Sequence, residues 1–398
     1  AMLRKVAHHM QANEDGLSGN VISREDLERI LTDYLKTLEV ARARAVAKIM
    51  IEQLRERNFI LCYLGADNYA FVHRTFLEYF CASEFVHQFE KERKLDREDL
   101  KNLYGQHFQE EAWSEVLRLL AGMVEPRFVG EIIQHLLNQS VNSAAFSEND
   151  YMKREGISNL LLAADCLTEV RSSHEISSIA DQLEDKLKKT AEKEYPYWLN
   201  GEAATDLTEA VASIWKEKNT TLPWLKQCLD FHESSYIPES ATRAISRNWR
   251  DALDTSTWLK SSGMNSGNNY VRSAAVQELA KGWKDDPDTL PILKSRAQED
   301  DNGAVRSAAV QELAKGWKDD PSLLSLWRDR TLQDPFQRKY DWQDNPRQIA
   351  LKVLIQQYPN DPKTEELLRD RAKNDNDEKL RDWATKQLAK RDLKTQQS

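Results

Sequence analysis

Arg272 and Arg306 stand 34 residues apart in two copies of one segment, VRSAAVQELAKGWKDDP, and Arg347 and Arg381 repeat that interval. Four guanidiniums at matching repeat offsets would form a basic ladder able to hold an acidic peptide or a nucleic-acid backbone. Trp215, Trp249, Trp283 and Trp317 keep the same interval, and such a row is either a stacking platform or the core of a regular array. The period then slips. From Trp317 to Tyr358 is 41 residues, seven more than the repeat, and the excess maps to 336–342. An insertion between regular repeats is a loop, and this one could present Arg338, Lys339, Tyr340 and Trp342 to a partner.

Other chemistry is hard to assemble. The eight histidines are scattered, His8 and His9 are neighbours that cannot face one ligand from a helix, and no serine or cysteine sits in a nucleophile-elbow context. Cys62, Cys81, Cys166 and Cys228 are far apart in apolar or helical surroundings, which suits buried thiols and implies neither a disulfide frame nor a metal site. No GxxxxGK[ST] loop and no Gly-Lys pair occurs, so nothing here cradles nucleotide phosphates. The chain by itself is expected to be no enzyme and to hold no cofactor.

Composition agrees with a partner-binding role. Hydrophobic residues are 40% and charged residues 30% of 398, enough for two or more globular domains. A formal net charge of -9 argues against nucleic acid or an anionic membrane as general partner. No apolar run reaches the roughly 18 residues of a membrane span, and no secretion leader opens the chain, so a cytoplasmic location is expected. Ala1 ahead of Met2 reads as an expression-tag remnant, and the chain as a piece cut from a longer protein.

The elements that must position these residues are helical almost throughout. Residues 2–90 give three helices: Leu3, Val6 and Met10 on the first, Leu27, Ile30, Leu31 and Leu35 on a second capped by Ser23, and a third over 40–57. Two short strand-like runs, 59–64 and 69–73, follow around the turn Gly65-Ala66-Asp67-Asn68, and a long helix runs over 74–90. Three helices and a β-hairpin make a winged helix. Basic residues on its third helix, Arg42, Arg44, Lys48, Arg55 and Arg57, alternate with Glu39, Glu52 and Glu56, and the turn carries an acid, so DNA recognition is not expected. A helical connector is expected over 91–200, with its end charged and a hinge at Pro196 and Gly201, and a solenoid of six units over 201–398. In that solenoid Val271, Ala275, Leu279 and Trp283 form one ridge at i, i+4, which makes the tryptophan the last knob of a buried face. Residues 380–392, LRDWATKQLAKRD, echo the repeat but end in charge, as a capping unit does.

Two resemblances sharpen this. Asp301-Asn302 followed by Val305-Arg306, and more loosely Asp377 with Leu380-Arg381, resemble the short HEAT repeats of phycobilisome-lyase-like proteins. Tetratricopeptide repeats share the 34-residue period, but Arg296 and Asp300 stand where that family has Leu and Tyr. The HEAT resemblance implies that the repeat arginines pair with a loop aspartate of their own or a neighbouring repeat. The string Phe71 to Ser83, FVHRTFLEYFCAS, resembles F-x-H-x-x-F-Q-E-Y-F-A-A, which ends the winged helix of NACHT-family STAND ATPases, with Leu77 in place of Gln. The segments AWSEVLRLLAG from Ala112 and NLLLAADCL from Asn159 are similar to the helices downstream of that string in bacterial, notably cyanobacterial, members. The resemblance implies the C-terminal, regulatory part of such an ATPase, in signal transduction or antiphage defence. A missing N-terminal domain would bind ADP or ATP, His73 would touch its phosphates in the resting state, and the solenoid would sense a protein or peptide trigger. A free-standing HEAT-repeat scaffold, or a chromophore-handling lyase-like protein, would also fit the repeats.

Overall fold

The computed structural model describes residues 1–12, 20–57, 60–139, 154–192, 200–231, 236–252 and 254–397. The fold is mainly α with one small antiparallel sheet, in two compact units, 1–190 and 191–398.

The first unit opens with α1 (Met2–Ala12), β1 (Ile22–Ser23), α2 (Arg24–Thr37), α3 (Ala43–Arg57), β2 (Leu61–Gly65), β3 (Asn68–Phe71) and α4 (Arg74–Glu90). Ser23 accepts from the Asp26 amide and so starts α2 where the capping chemistry placed it. The expected hairpin gains a third strand. β1 pairs with β3, Ile22 opposite Tyr69, and the sheet order is β1-β3-β2. Two residues carry no periodicity, so this strand has no sequence signal. At the hairpin turn Gly65, Ala66 and Asp67 all have positive φ, at 98°, 47° and 56°.

Then come α5 (Arg97–His107), α6 (Glu111–Met123), α7 (Pro126–Leu137), α8 (Ser158–Thr168) and α9 (Ser177–Ala191). The boundary expected at 90–91 falls inside the first compact unit, 1–190. α4 packs along α6, and the Arg74 guanidinium reaches the Ala112 carbonyl at 3.3 Å. Residues 91–190 therefore close the same core as 1–90, through Trp113, Leu117, Phe128 and Ile132. The expected hinge residue Pro196 lies outside the described residues.

The second unit alternates two kinds of helix. First-type helices are α10 (Gly201–Ile214), α12 (Ile237–Asn248), α14 (Asn269–Gly282), α16 (Gly303–Gly316), α18 (Pro346–Gln357) and α20 (Glu378–Gln397). Between them lie α11 (Thr221–Cys228), α13 (Thr255–Trp258, prolonged by a π-helical turn), α15 (Thr289–Glu299), α17 (Ser322–Gln333) and α19 (Pro362–Asn374). Among the described residues this gives five helix pairs and a sixth, closing unit that is the single helix α20. From α10 to α18 successive first-type helices touch along much of their length, whereas α15, α17 and α19 touch one another little. The first-type helices therefore form the inner layer of the stack.

The core runs between the layers through Ala275, Leu279, Leu293, Ala309, Leu313, Trp327 and Leu354. The tryptophans sit one step beyond the expected ridge. Trp215, Trp249, Trp283 and Trp317 are the residues at which α10, α12, α14 and α16 end, and Tyr358 does the same for α18. At three of these helix ends the tryptophan carbonyl takes a new side-chain donor. Thr221, Thr255 and Thr289 each give their hydroxyl to the carbonyl of the tryptophan six residues earlier, at 2.7 Å.

Candidate functional site

The insertion joins Asp334, at the end of α17, to Asn345, which caps α18. Arg338 organises it. Its Nε lies 3.1 and 3.2 Å from the two carboxylate oxygens of Asp377 and its Nη2 2.8 Å from one of them, while Nη1 holds the Gln343 carbonyl. Asn345 Nδ2 adds a 2.7 Å bond to Asp377, which also accepts from the Lys379 amide at the start of α20. Burial pushes the Asp377 carboxyl up, but the bonds from Arg338 and Asn345 outweigh it and hold the group below its ordinary value. The Gln343 side-chain oxygen takes the amides of Lys339 and Tyr340 at 2.8 and 3.1 Å. Phe336 lies against Gly303, where a Cβ would come within 2.8 Å of the ring, so only glycine admits this approach.

With its backbone pinned, the loop leaves two large rings outside. Tyr340 is 59% and Trp342 76% exposed, and the rings lie parallel, 4° between planes and 5.7 Å between centroids. Arg338, expected as a partner contact, is instead the loop's internal anchor. Behind Trp342 opens a cleft of about 650 Å³ whose floor is α14 and α16. Tyr270, Ser273 and Gln277 line it from α14, Ser307 and Gln311 from α16, and Phe336, Lys339 and Trp342 from the loop.

The arginine ladder exists but faces inward. Arg272 gives Nε and Nη2 to Asp300 at 2.9 Å each, Arg306 gives the same pair to Asp334 at 2.7 Å each, and Arg347 gives it to Asp375 at 2.9 Å each. Each remaining Nη1 donates to carbonyls of the preceding loop: Ser266 and Gly267, Asp300 and Asp301, Asp334 and Phe336. All three arginines are buried, so they cannot serve an incoming peptide or phosphate. Arg381 is half-buried and donates to the Asp375 carbonyl at 2.6 Å. The helix that ends in each aspartate adds a second arginine, Arg296, Arg330 or Arg371.

Sequence reasoning passed over a second ladder on the outer layer. Lys260, Lys294 and Arg328, again 34 apart, reach Asp286, Asp320 and Asp361 in the next inter-helix turn at 2.6, 3.5 and 2.6 Å. Those acids come three residues after the tryptophan or tyrosine, a spacing present in the sequence. Arg250 and Lys284, which come directly after Trp249 and Trp283, lie 6.0 and 5.8 Å from the ring of the next tryptophan. Trp215 is thus buried, and Trp283 and Trp317 are half-buried and capped by cations, which leaves no open stacking platform on these rings.

In the first unit His73 is the residue before α4. It is exposed, its imidazole makes no cap bond, and its ring contact is Phe76 at 6.2 Å between centroids. The basic residues around α3 are largely spent: Arg44 and Lys48 face Glu28 at 2.7 and 3.9 Å, and Arg24 faces Glu52 and Asp67 at 2.5 and 3.6 Å. The side chains of Arg55, Glu56 and Arg57 lie outside the described residues. Cys81, Cys166 and Cys228 are buried, and burial pushes the Cys81 and Cys166 thiols well up, away from reactivity.

Helix pairs in two layers, clamped from the start of one helix to the end of the next, define an α-solenoid whose inter-repeat loops are its variable parts. The repeats are of the HEAT kind: the HEAT-repeat family profile matches residues 222–314 and, overlapping them, 256–339. No curated protein matches the chain. No helix among the described residues is long and apolar enough to cross a membrane.

Proposed function

We propose that this chain is a non-catalytic recognition and relay region, in which the HEAT solenoid holds a segment of a protein partner. The observation that carries the reading is the insertion loop. Its backbone is fixed by Arg338 and Gln343, yet it exposes Tyr340 and Trp342 as a rigid pair beside a cleft. Exposed aromatic side chains held at low conformational cost are favoured anchors at protein interfaces.

The first unit carries the other half of the proposal. Its order of helices and strands, with sheet order β1-β3-β2, supports a winged helix. With the Phe71 to Ser83 string, it supports a place after the nucleotide-binding domain of a NACHT-family STAND ATPase. The His73 side chain makes no cap bond that it would have to give up, so it is free to donate to a phosphate oxygen of ADP held by that domain. Partner binding on the solenoid would favour an open state by differential affinity and release that contact. The test is His73→Ala in the protein with its nucleotide-binding domain: ADP should dissociate faster and basal signalling rise. Unchanged ADP retention sinks the relay. A free-standing scaffold is the second reading, and a GxxxxGK[ST] sequence in frame upstream of Met2 separates the two.

A further inference from the structure

The insertion is tied down at the starts of three successive first-type helices. At α16 the Phe336 ring fills the space where a Cβ on Gly303 would stand, within 2.8 Å. At α18 Arg347 Nη1 holds the Phe336 carbonyl at 2.9 Å. At α20 Arg338 closes on Asp377, which also accepts from Asn345 Nδ2 at 2.7 Å and from the Lys379 amide at 3.1 Å. Lys379 Nζ gives a 2.9 Å bond back to the Asp341 carbonyl of the loop. The Arg338 guanidinium stands 5.7 Å from the Phe336 ring centroid, so the ties to α16 and α20 meet in one stack.

The tie at α20 differs chemically from its counterparts. Asn200, Asn268, Asn302 and Asn345 cap α10, α14, α16 and α18, all with a neutral amide. α20 starts on an aspartate whose side chain is 4% exposed, and to this cap the loop brings its guanidinium. Asparagine is as good a helix cap as aspartate, so the charge at Asp377 serves the loop. Among the described residues α20 rests on α19 and touches α18 little. Between earlier first-type helices direct packing makes the connection, and here the loop makes it.

We infer that the insertion is a strap coupling the pose of the Tyr340 and Trp342 rings to the closing helix α20, so that a partner seated on the rings and an ordered start of α20 stabilise one another. The inference rests on the scaffold reading and adds the regulation of its site. Gln343 is the link. Its main-chain carbonyl takes Arg338 Nη1, while its side-chain oxygen takes the amides of Lys339 and Tyr340. Releasing Arg338 from Asp377 therefore loosens the backbone that carries the rings, and a ligand that fixes the rings holds Arg338 on Asp377. Such coupling is reciprocal, and local opening is cheapest where packed neighbours are few, as at the end of an array.

The test is hydrogen exchange on the intact protein, read in peptides covering 337–344 and 378–391. Fluorotryptophan NMR reports on Trp342, whose line is the one missing in Trp342→Phe. The double variant Arg338→Met with Asp377→Asn orphans no charge and gives α20 the asparagine cap of the other helices. Both segments should exchange about ten-fold faster, the yield of a lost charge-assisted bond, and the Trp342 line should shift. Gly303→Ala is the distant probe. Alanine favours α16 itself but displaces Phe336, and it should speed exchange at α20, two units away. Trp342→Ala removes a ring and no tie, so exchange at 378–391 should stay as in the wild type. Wild-type exchange at α20 in the double variant overturns the inference, and so does a rise spread evenly over the whole second unit. An unmoved Trp342 line, or a Gly303→Ala effect confined to α16 and the loop, overturns it equally. These outcomes leave the scaffold reading standing, and altered ADP retention in His73→Ala bears on the relay alone.

Discussion

Asp334→Asn is the sharpest probe of what holds the array together, because it removes one charge and almost no volume. Asp334 is buried and accepts Nε and Nη2 of Arg306 at 2.7 Å each and the Phe336 amide at 3.0 Å, with Arg330 Nη1 a further 3.8 Å away. An asparagine keeps one acceptor and turns an N–H₂ toward a guanidinium. At least one charge-assisted bond, worth about 1.5–3 kcal/mol, is then lost. Arg306 is also left as a buried cation without its anion, whereas Arg330 keeps Asp329 at 2.6 Å, and breaking a buried pair in this way typically costs about 3–5 kcal/mol. We expect a loss of about 3–5 kcal/mol. For a unit spanning 191–398, each kcal/mol moves the melting temperature by roughly 2–4 °C, so the drop should be roughly 6–20 °C. Urea titration monitored by circular dichroism gives the free energy, and calorimetry the midpoint. The comparison is Asp286→Asn, whose carboxylate takes Lys260 Nζ at 2.6 and 2.7 Å but stands partly in solvent, and which should cost about 1 kcal/mol or less. A loss below about 1 kcal/mol for Asp334→Asn, or equal losses at both sites, would refute the view that the inner ladder clamps the repeats.

Three further perturbations have outcomes set by the geometry. Replacing Ala66-Asp67 by Asn-Gly relieves two positive-φ positions at the hairpin turn and should raise stability by about 1 kcal/mol, read from the denaturant midpoint; no gain would mean that the turn is not of this type in solution. Deleting 337–343 restores the 34-residue interval but removes Arg338 from Asp377, so the array should fold with a loss of about 2 kcal/mol, and a neutral deletion would deny Arg338 its anchoring part. The Asp300 carboxyl, pushed up by burial but held lower overall by bonds from Arg272 and the Asn302 amide, titrates below its unfolded value, as does Asp377. A depressed folded pKa gives stability that is present above the unfolded value near 4 and lost as pH falls through the folded one. Denaturant midpoints should therefore fall below about pH 4, and Asp300→Asn should flatten that fall; an unchanged slope would count against it.

What the sequence disclosed depended on whether a residue had equivalents. The arginines recur, and so do the aspartates 28 residues after them: Arg272 with Asp300, Arg306 with Asp334, Arg347 with Asp375. The pairing came from the HEAT resemblance, and the 28-residue spacing that recurs three times is the structure's addition to it. Arg338 occurs once, and its partner Asp377 is 39 residues away in an N-cap role that gave no hint of a second duty. Its place in the insertion suggested an exposed contact, and packing made it an anchor. The tryptophans were legible as register marks but not as helix ends, because a ridge at i, i+4 continues smoothly into a residue whose backbone has already left the helix, with φ -133° and ψ 41° at Trp283.

The slip of seven residues shows how a solenoid tolerates an insertion. Each clamp joins the start of a first-type helix to the end of the next helix, so all three span 28 residues, and the insertion between Asp334 and Arg347 falls between clamps. Contact from one repeat to the next is carried by the third guanidinium nitrogen. Arg306 Nη1 reaches the Asp300 and Asp301 carbonyls, six and five residues back; Arg347 Nη1 reaches those of Asp334 and Phe336, thirteen and eleven back, at closely similar distances. The longer loop leaves and returns between two fixed points without disturbing either. Stability and the proposed recognition thus fall on separate residues, the clamps and the loop's exposed rings. Trp342→Ala should accordingly leave stability within about 0.5 kcal/mol of wild type in the urea titration. A larger loss would show that the loop's rings belong to the fold, and the separation argued from the clamps would fail.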